Sequence, residues 1–150
     1  MNAFPDTSFL CAVYRTQDNS PRADAWMLTR SGPLPVSSFL LLEFRQSVRF
    51  QTRLFSLDRS KGYSSAEATR MLRDLQSDLA TGILQVTAVD WADVHRIAEE
   101  LSGKHTAIGG HRLNDILHVA TALHIGAAEF LTFDTNQKKL AEAEGMAVPL

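Results

Sequence analysis

The stretch Asn2-Ala3-Phe4-Pro5-Asp6-Thr7-Ser8-Phe9-Leu10 decides how the rest of the chain is read. Asn2 to Phe4 predict a short strand that ends at Asp6. Thr7-Ser8 then offer a helix cap, and Phe9 to Tyr14 the helix body. The same unit of strand, acid and helix returns near the other end. Phe130 to Phe133 predict a strand, Asp134 follows it directly, and Gln137 to Glu144 predict a helix that stops at Gly145. Strands separated by helices imply a parallel sheet, and function in such sheets gathers at the carboxyl ends of the strands.

The elements between follow the same alternation. Ser20-Pro21 opens a second helix running to about Arg30. Leu34 to Val36 form a strand, and Ser37-Ser38 turn it into a third helix. There Leu41, Phe44, Val48 and Phe55 recur at helical spacing and define a core face. Ser64 and Glu67 have the spacing of a capping box for a helix to about Thr81. Ile83 to Val89 make a β-branched strand, and Asp90 caps a helix through Leu101. Lys104 to His111 read as a polar, glycine-containing loop. A helix from Leu113 to Ile125 comes next, and Ala147-Val148 add a short last strand. The expected fold is α/β: one domain over 1–150, a three-layer sandwich with a central parallel sheet of four or five strands and right-handed crossovers.

Composition narrows the function. At 150 residues, 45% apolar and 21% charged, the chain matches an ordinary globular domain. One cysteine, Cys11, excludes a disulfide framework. No apolar run is long enough to span a membrane, and no signal peptide is legible, so the cytoplasm is the expected location. A net charge of −2 excludes holding nucleic acid by bulk charge. Yet 11 of the 15 basic residues are arginine, a side chain whose fork suits phosphate. Arg45, Arg49 and Arg53 form one helical stripe. Arg45 lies roughly 200° around its helix from Glu43, so the stripe meets a phosphate-bearing ligand along a rim, an acidic partner, or water. No Gly-x-x-x-x-Gly-Lys-Ser/Thr phosphate loop is present, which argues against nucleotide-driven activity.

Four acids fall where a parallel sheet would gather them. Asp6 and Asp134 follow strands, Asp115 sits in the first turn of its helix, and Glu43 lies a turn or more into another. Singly, each also reads as a cap or a solvated residue. Together they would repel one another unless a cation sat among them. All-oxygen ligands favour Mg²⁺ or Mn²⁺. Neutralising Asp6 or Asp115 is therefore expected to leave the metal-free fold as stable or more so.

At this point the residues resemble a known family. Asp6-Thr7-Ser8-Phe9-Leu10 resembles the opening of PIN-domain ribonucleases, and Glu43 within Leu41-Leu42-Glu43-Phe44 resembles their second acid. Arg112 to Leu123 resembles the third block, and Leu131 to Gln137 the fourth. The small size resembles the toxin of a bacterial VapBC-type toxin–antitoxin pair. The resemblance implies a metal-dependent endoribonuclease with Asp6, Glu43, Asp115 and Asp134 as catalytic and metal-holding carboxylates. It also implies an RNA substrate, a cognate antitoxin and a homodimer. Asn136 stands where many members carry a further acid, which lowers the charge available to a second metal. The alternative is a catalytically silent module of the same fold that binds RNA or protein; the presence of all four acids speaks against it. A phospho-acceptor receiver domain fits poorly, because Pro5 and Thr7 flank Asp6 where a paired acid would stand.

Other residues carry smaller expectations. Thr132 and Ser8 are candidates to support the acids, and Arg112 to contact a phosphate or steady an acid. His118, one turn from Asp115, reads as a hydrogen-bonded structural histidine rather than a general base. His105 and His111 lack acid partners by spacing. Trp26 and Trp91 read as core or interface anchors, and Cys11 as buried and inert. Phe50 and Leu54 lie off the core face of their helix and are expected under a partner peptide.

Overall fold

Short polar side chains set where the helices begin. In a computed structural model describing residues 2–150, β1 (Ala3–Pro5) runs into Asp6, whose carboxylate accepts the Phe9 N–H and caps α1 (Thr7–Tyr14). The cap is thus Asp6 itself, one or two residues earlier than Thr7-Ser8. Next come α2 (Ser20–Thr29), with Pro21 in its first turn, and β2 (Leu34–Val36). Ser20 is not a side-chain cap: its hydroxyl bonds the Ala12 and Arg15 carbonyls and so ties α2 back to α1. Ser37 caps α3 (Ser38–Leu57), and Ser64 caps α4 (Ser65–Ala80). The box is half made there, since Glu67 turns to Arg70 at 2.6 Å.

Asp90 caps α5 (Trp91–Leu101), which follows β3 (Leu84–Val86). The expected loop at 104–111 is instead largely helical. The chain leaves α5 through a π-helical turn (Ser102–Thr106) into α6 (Ala107–Gly109). Lys104 and His105 both reach Glu144, at 3.1 and 3.2 Å, and hold that turn against the end of the last helix. A distant carboxylate is invisible to a local reading of glycine and polar residues. Then come α7 (Leu113–His124), β4 (Glu129–Leu131) and α8 (Thr135–Ala143), the last capped by Asp134.

All strand pairing is parallel. β1 pairs with β4 and β2 with β3, with Pro5 opposite Leu131 and Val36 opposite Val86. β1 also lies against β2, which gives the order β3-β2-β1-β4. Ala147 bridges to Glu129 beyond β4, so the last strand shrinks to one residue. Between β1 and β2 no ladder is assigned among the described residues. Pro5 and Pro35 stand in these two central strands, and neither has an N–H to donate. The helices complete three layers: α1 packs on α2, α3 and α4, while α5 packs on α7 and α7 on α8.

Fully buried Phe4, Phe9, Phe44 and Phe130 fill the centre between strands and helices. The α3 face reads as expected at Leu41, Phe44 and Val48, whereas Phe55 is only half-buried. Trp26 meets Phe9 edge-on at 5.8 Å. Gly62 (φ 61°) closes the α3–α4 connection, and a Cβ there would sit 2.0 Å from the Gln51 carbonyl oxygen. No helix among the described residues is long and apolar enough to cross a membrane.

Candidate active site

A cleft of about 400 Å³ opens near the carboxyl ends of β1 and β4. A water occupies about 30 Å³ in the liquid, so the cleft has room for a hydrated ion. Glu43 from α3, Asp115 from α7 and Asp134 ahead of α8 line it, with Ser8, Arg112 and Gln137. None of Arg45, Arg49 and Arg53 does, as the helical-wheel argument expects. A second cleft of about 270 Å³ lies at the opposite strand ends beside Trp26, Arg30 and Glu129, with no gathering of acids.

Asp6 stands behind the acid cleft and is wholly buried. One of its oxygens accepts the Ser8 hydroxyl at 2.6 Å and the Phe9 N–H at 3.0 Å. The other accepts the Thr132 hydroxyl and the Gln137 amide, the latter at 2.8 Å. Burial pushes this carboxyl above its ordinary value, opposed by the bonds from Ser8, Thr132 and Phe9. Four donors answer the charge, so mutual repulsion among acids does not govern this residue. What neutralising Asp6 would relieve is therefore the cost of its burial rather than repulsion from the other acids.

Ser8 and Thr132 each bond both Asp6 and the backbone beyond β4. The Ser8 hydroxyl accepts the Phe133 N–H at 2.9 Å, and the Thr132 hydroxyl accepts the Asp134 N–H at 2.9 Å. Each therefore links Asp6 to the loop that carries Asp134. That loop exists because β4 stops at Leu131, so Asp134 follows the strand by three residues rather than directly. Asp134 spends one oxygen on the Gln137 N–H at the head of α8. Its bland reading as a cap and its place in the cleft hold together.

The outer acids are differently held. Glu43 accepts from the Thr7 hydroxyl, the Asn114 amide and His118 Nε2, the last at 2.8 Å. Burial works against its charge, but His118, Thr7 and Asn114 outweigh it and hold the carboxyl at about 2. Arg112 donates to Asp115 at 3.0 Å while its own side chain is 77% exposed. It steadies an acid, one of its two expected roles. Thr7 and Asn114, neighbours of Asp6 and Asp115, and Gln137 were not singled out in the sequence. Polar residues flanking each candidate acid were the available signal.

Asn136 does not join the acids. Its amide bonds the Gly109 carbonyl and His111 Nδ1, at 3.3 and 3.2 Å, and so braces α6. His105 does have an acid partner, Glu144, which its spacing did not reveal.

Among the described residues no three His, Cys, Asp or Glu side chains close around one point as a ready metal cage. The donor chemistry still fits a hard ion. Three carboxylates share the cleft, and Mg²⁺ commonly takes one or two carboxylates and keeps its waters. A softer ion demanding a closed set of nitrogen or sulfur ligands does not fit.

Comparison with known proteins follows the same lines. The PIN-domain family model matches residues 3–143. No curated protein matches in sequence. Among solved structures, the toxin VapC20 of Mycobacterium tuberculosis, described as cleaving the sarcin–ricin loop, superposes with a TM-score of 0.67 at 19% identity, covering 97% of each chain. FitAcB of Neisseria gonorrhoeae gives 0.64 at 19% identity, covering 97% of this chain and 95% of its own. VapBC2 of Rickettsia felis, solved with a fragment of promoter DNA, gives 0.62 at 16%, covering 93% of each. At these identities the likeness concerns the fold.

Proposed function

The chain belongs to the PIN-domain family, and on that premise we propose that it is a divalent-metal-dependent endoribonuclease, the toxin of a toxin–antitoxin pair. The observation that carries the reading is the cleft that Glu43, Asp115 and Asp134 share, with Asp6 bonded in behind them. Residues 1–150 act as one PIN-like domain in the cytoplasm. Glu43, Asp115 and Asp134 would hold Mg²⁺ or Mn²⁺, with Asp6 behind them. When bound, the ion supplies charge neutralisation at the scissile phosphate and lowers the pKa of water.

The chain's own groups do the rest. Arg112 orients Asp115 and keeps most of its guanidinium free to meet a phosphate. Ser8 and Thr132 hold Asp6 and fix the loop of Asp134. Thr7 and Asn114 turn Glu43 toward the cleft. No side chain need act as a nucleophile. The test is cleavage of labelled RNA pools by the purified chain with Mg²⁺, with Mn²⁺ and with chelator. Cleavage that persists in chelator, or that survives Asp115→Asn, sinks the proposal.

A protein antitoxin would silence the enzyme and a second copy would pair with it. Phe50, with Leu42 and Leu57, stands more than half exposed on α3 and supports such cover, whereas Leu54 is half-buried. Co-expression with the product of a small adjacent reading frame tests this: a copurifying complex with lost cleavage is expected, and a free, harmless monomer contradicts it.

A further inference from the structure

His118 is the one donor to Glu43 that water cannot replace. The ring is wholly buried, while Thr7 is half-buried and Asn114 exposed. It comes from α7, one turn beyond Asp115, and meets α3 at two residues a turn apart. Phe39 packs against the ring at 5.3 Å between centroids, and Glu43 takes the Nε2 bond at 2.8 Å. The side-chain pocket therefore grips the imidazole on one side and aims it at the carboxylate on the other.

The opposite nitrogen decides which form of the ring is present. Nδ1 is buried and has no hydrogen-bond partner among the described residues. A proton there would be a buried donor left unmade, which is expensive. An ionised carboxylate can only accept, so the contact with Glu43 puts a proton on Nε2. With Thr7 and His118 both on Oε1, that oxygen is committed. Oε2 accepts only the exposed Asn114 amide and is the oxygen left for a ligand in the cleft.

We propose that His118, packed on Phe39 and donating its Nε2–H to Glu43, is a positioning residue that presents Glu43 Oε2 to the divalent cation. The inference rests on the metal site proposed above. It assigns His118 a role beyond filling the core: the same helix offers Asp115 to the cleft directly and, one turn later, fixes a second carboxylate from another element. Partners of this kind behind a metal-holding group are typically worth about 10- to 100-fold in metal affinity.

The experiment uses the full chain and Mn²⁺ alone, followed by calorimetry or by the free-ion electron spin resonance signal, with folding checked by thermal melting. His118→Leu should weaken Mn²⁺ binding by about 10- to 100-fold. His118→Gln, which can return an amide N–H to the same place, should recover most of it. Asn114→Ala should cost far less than His118→Leu, because water substitutes for an exposed amide. In a Glu43→Gln background His118→Leu should add nothing, since the two act through one oxygen pair. ¹⁵N chemical shifts of the unmodified, metal-free chain should report a proton on Nε2, and this test stands even if His118→Leu fails to fold.

Unchanged Mn²⁺ binding in His118→Leu overturns the inference. So does equal loss in His118→Leu and His118→Gln, equal loss in the Glu43→Gln background, or an Nε2 that carries no proton. Failure of the underlying site looks different: Glu43→Gln would then bind Mn²⁺ as the parent does, and both readings fall together.

Discussion

Asp6 and Asp115 sit beside the same cleft, yet they are held in opposite ways. Asp6 is sealed from water and accepts four hydrogen bonds. Asp115 has one side-chain partner, Arg112, which is itself mostly in solvent. The inner half of the site, with Ser8, Thr132 and Gln137, joins the start of α1 to the start of α8. The outer half, with Glu43, Asp115 and Asp134, keeps oxygens for something else. A carboxylate with every lone pair answered ties elements together; one with a spare oxygen is free to take a ligand. The comparison teaches that four acids at one sheet edge need not share one job.

The strongest test of that division is removal of each acid without metal. Asp6→Ala strands the Phe9 N–H, the Gln137 amide and two hydroxyls, and should cost about 3–4 kcal/mol of stability. Urea denaturation in chelator measures it. Asp115→Asn should shift stability by no more than about 1 kcal/mol, because its partner is a surface arginine. It should still abolish RNA cleavage and most of the stabilisation that added Mg²⁺ confers. Equal losses of stability in both variants would erase the inner–outer distinction.

A smaller effect appears on acidification in chelator. Glu43 is held at about 2, below the 4.5 of an ordinary glutamate. Its contribution is therefore present above pH 4.5 and lost as pH falls toward 2. Burial raises Asp6 above its ordinary 3.8, so its charge costs stability near neutrality, and acid relieves that cost. The advantage of the parent over Glu43→Gln should shrink as pH falls. The parent should gain relative to Asp6→Asn over the same change. Curves that move together would break the comparison.

The smallest effect is read at Cys11, partly buried on α1. Burial first, then the charges of Asp6 and Glu43, push its thiol up to about 11. At pH 8 it should carry about a hundredth of the thiolate of a free cysteine and alkylate correspondingly slowly. Asp6→Asn should quicken alkylation more than Glu43→Gln, since Asp6 acts on the thiol more strongly.

How far the sequence spoke depended on range. Caps, glycine stops and the α3 core face obey local rules, and Ser37, Ser64 and Asp90 stand where those rules put them. Asp6, Asp115 and Asp134 were legible because strand ends and helix starts fix an edge once the strands are parallel, whereas Glu43 lies more than a turn into α3. The bonds that rank them were not. Gln137 reaches Asp6 across 131 positions and His118 reaches Glu43 across 75. The same blindness made a loop of the π-helical turn, whose anchor Glu144 lies 40 residues from Lys104. Strand length failed for another reason: apolar runs at 83–89 and 130–133 look longer than the three-residue ladders that form.

Gly62 gives the chain a weak point with no chemistry in it. Its carbon has hydrogen where any other residue would drive a methyl or more into the Gln51 carbonyl, on a backbone angle that side chains resist. In a saturation library screened for loss of the proposed cleavage, this position would score beside the acids and be mistaken for machinery. Survivors can be sorted by temperature. A folding lesion at Gly62 regains activity in the cold, and a lost carboxylate does not. The tolerance map of a small domain thus charts its tightest turn as faithfully as any chemistry it performs.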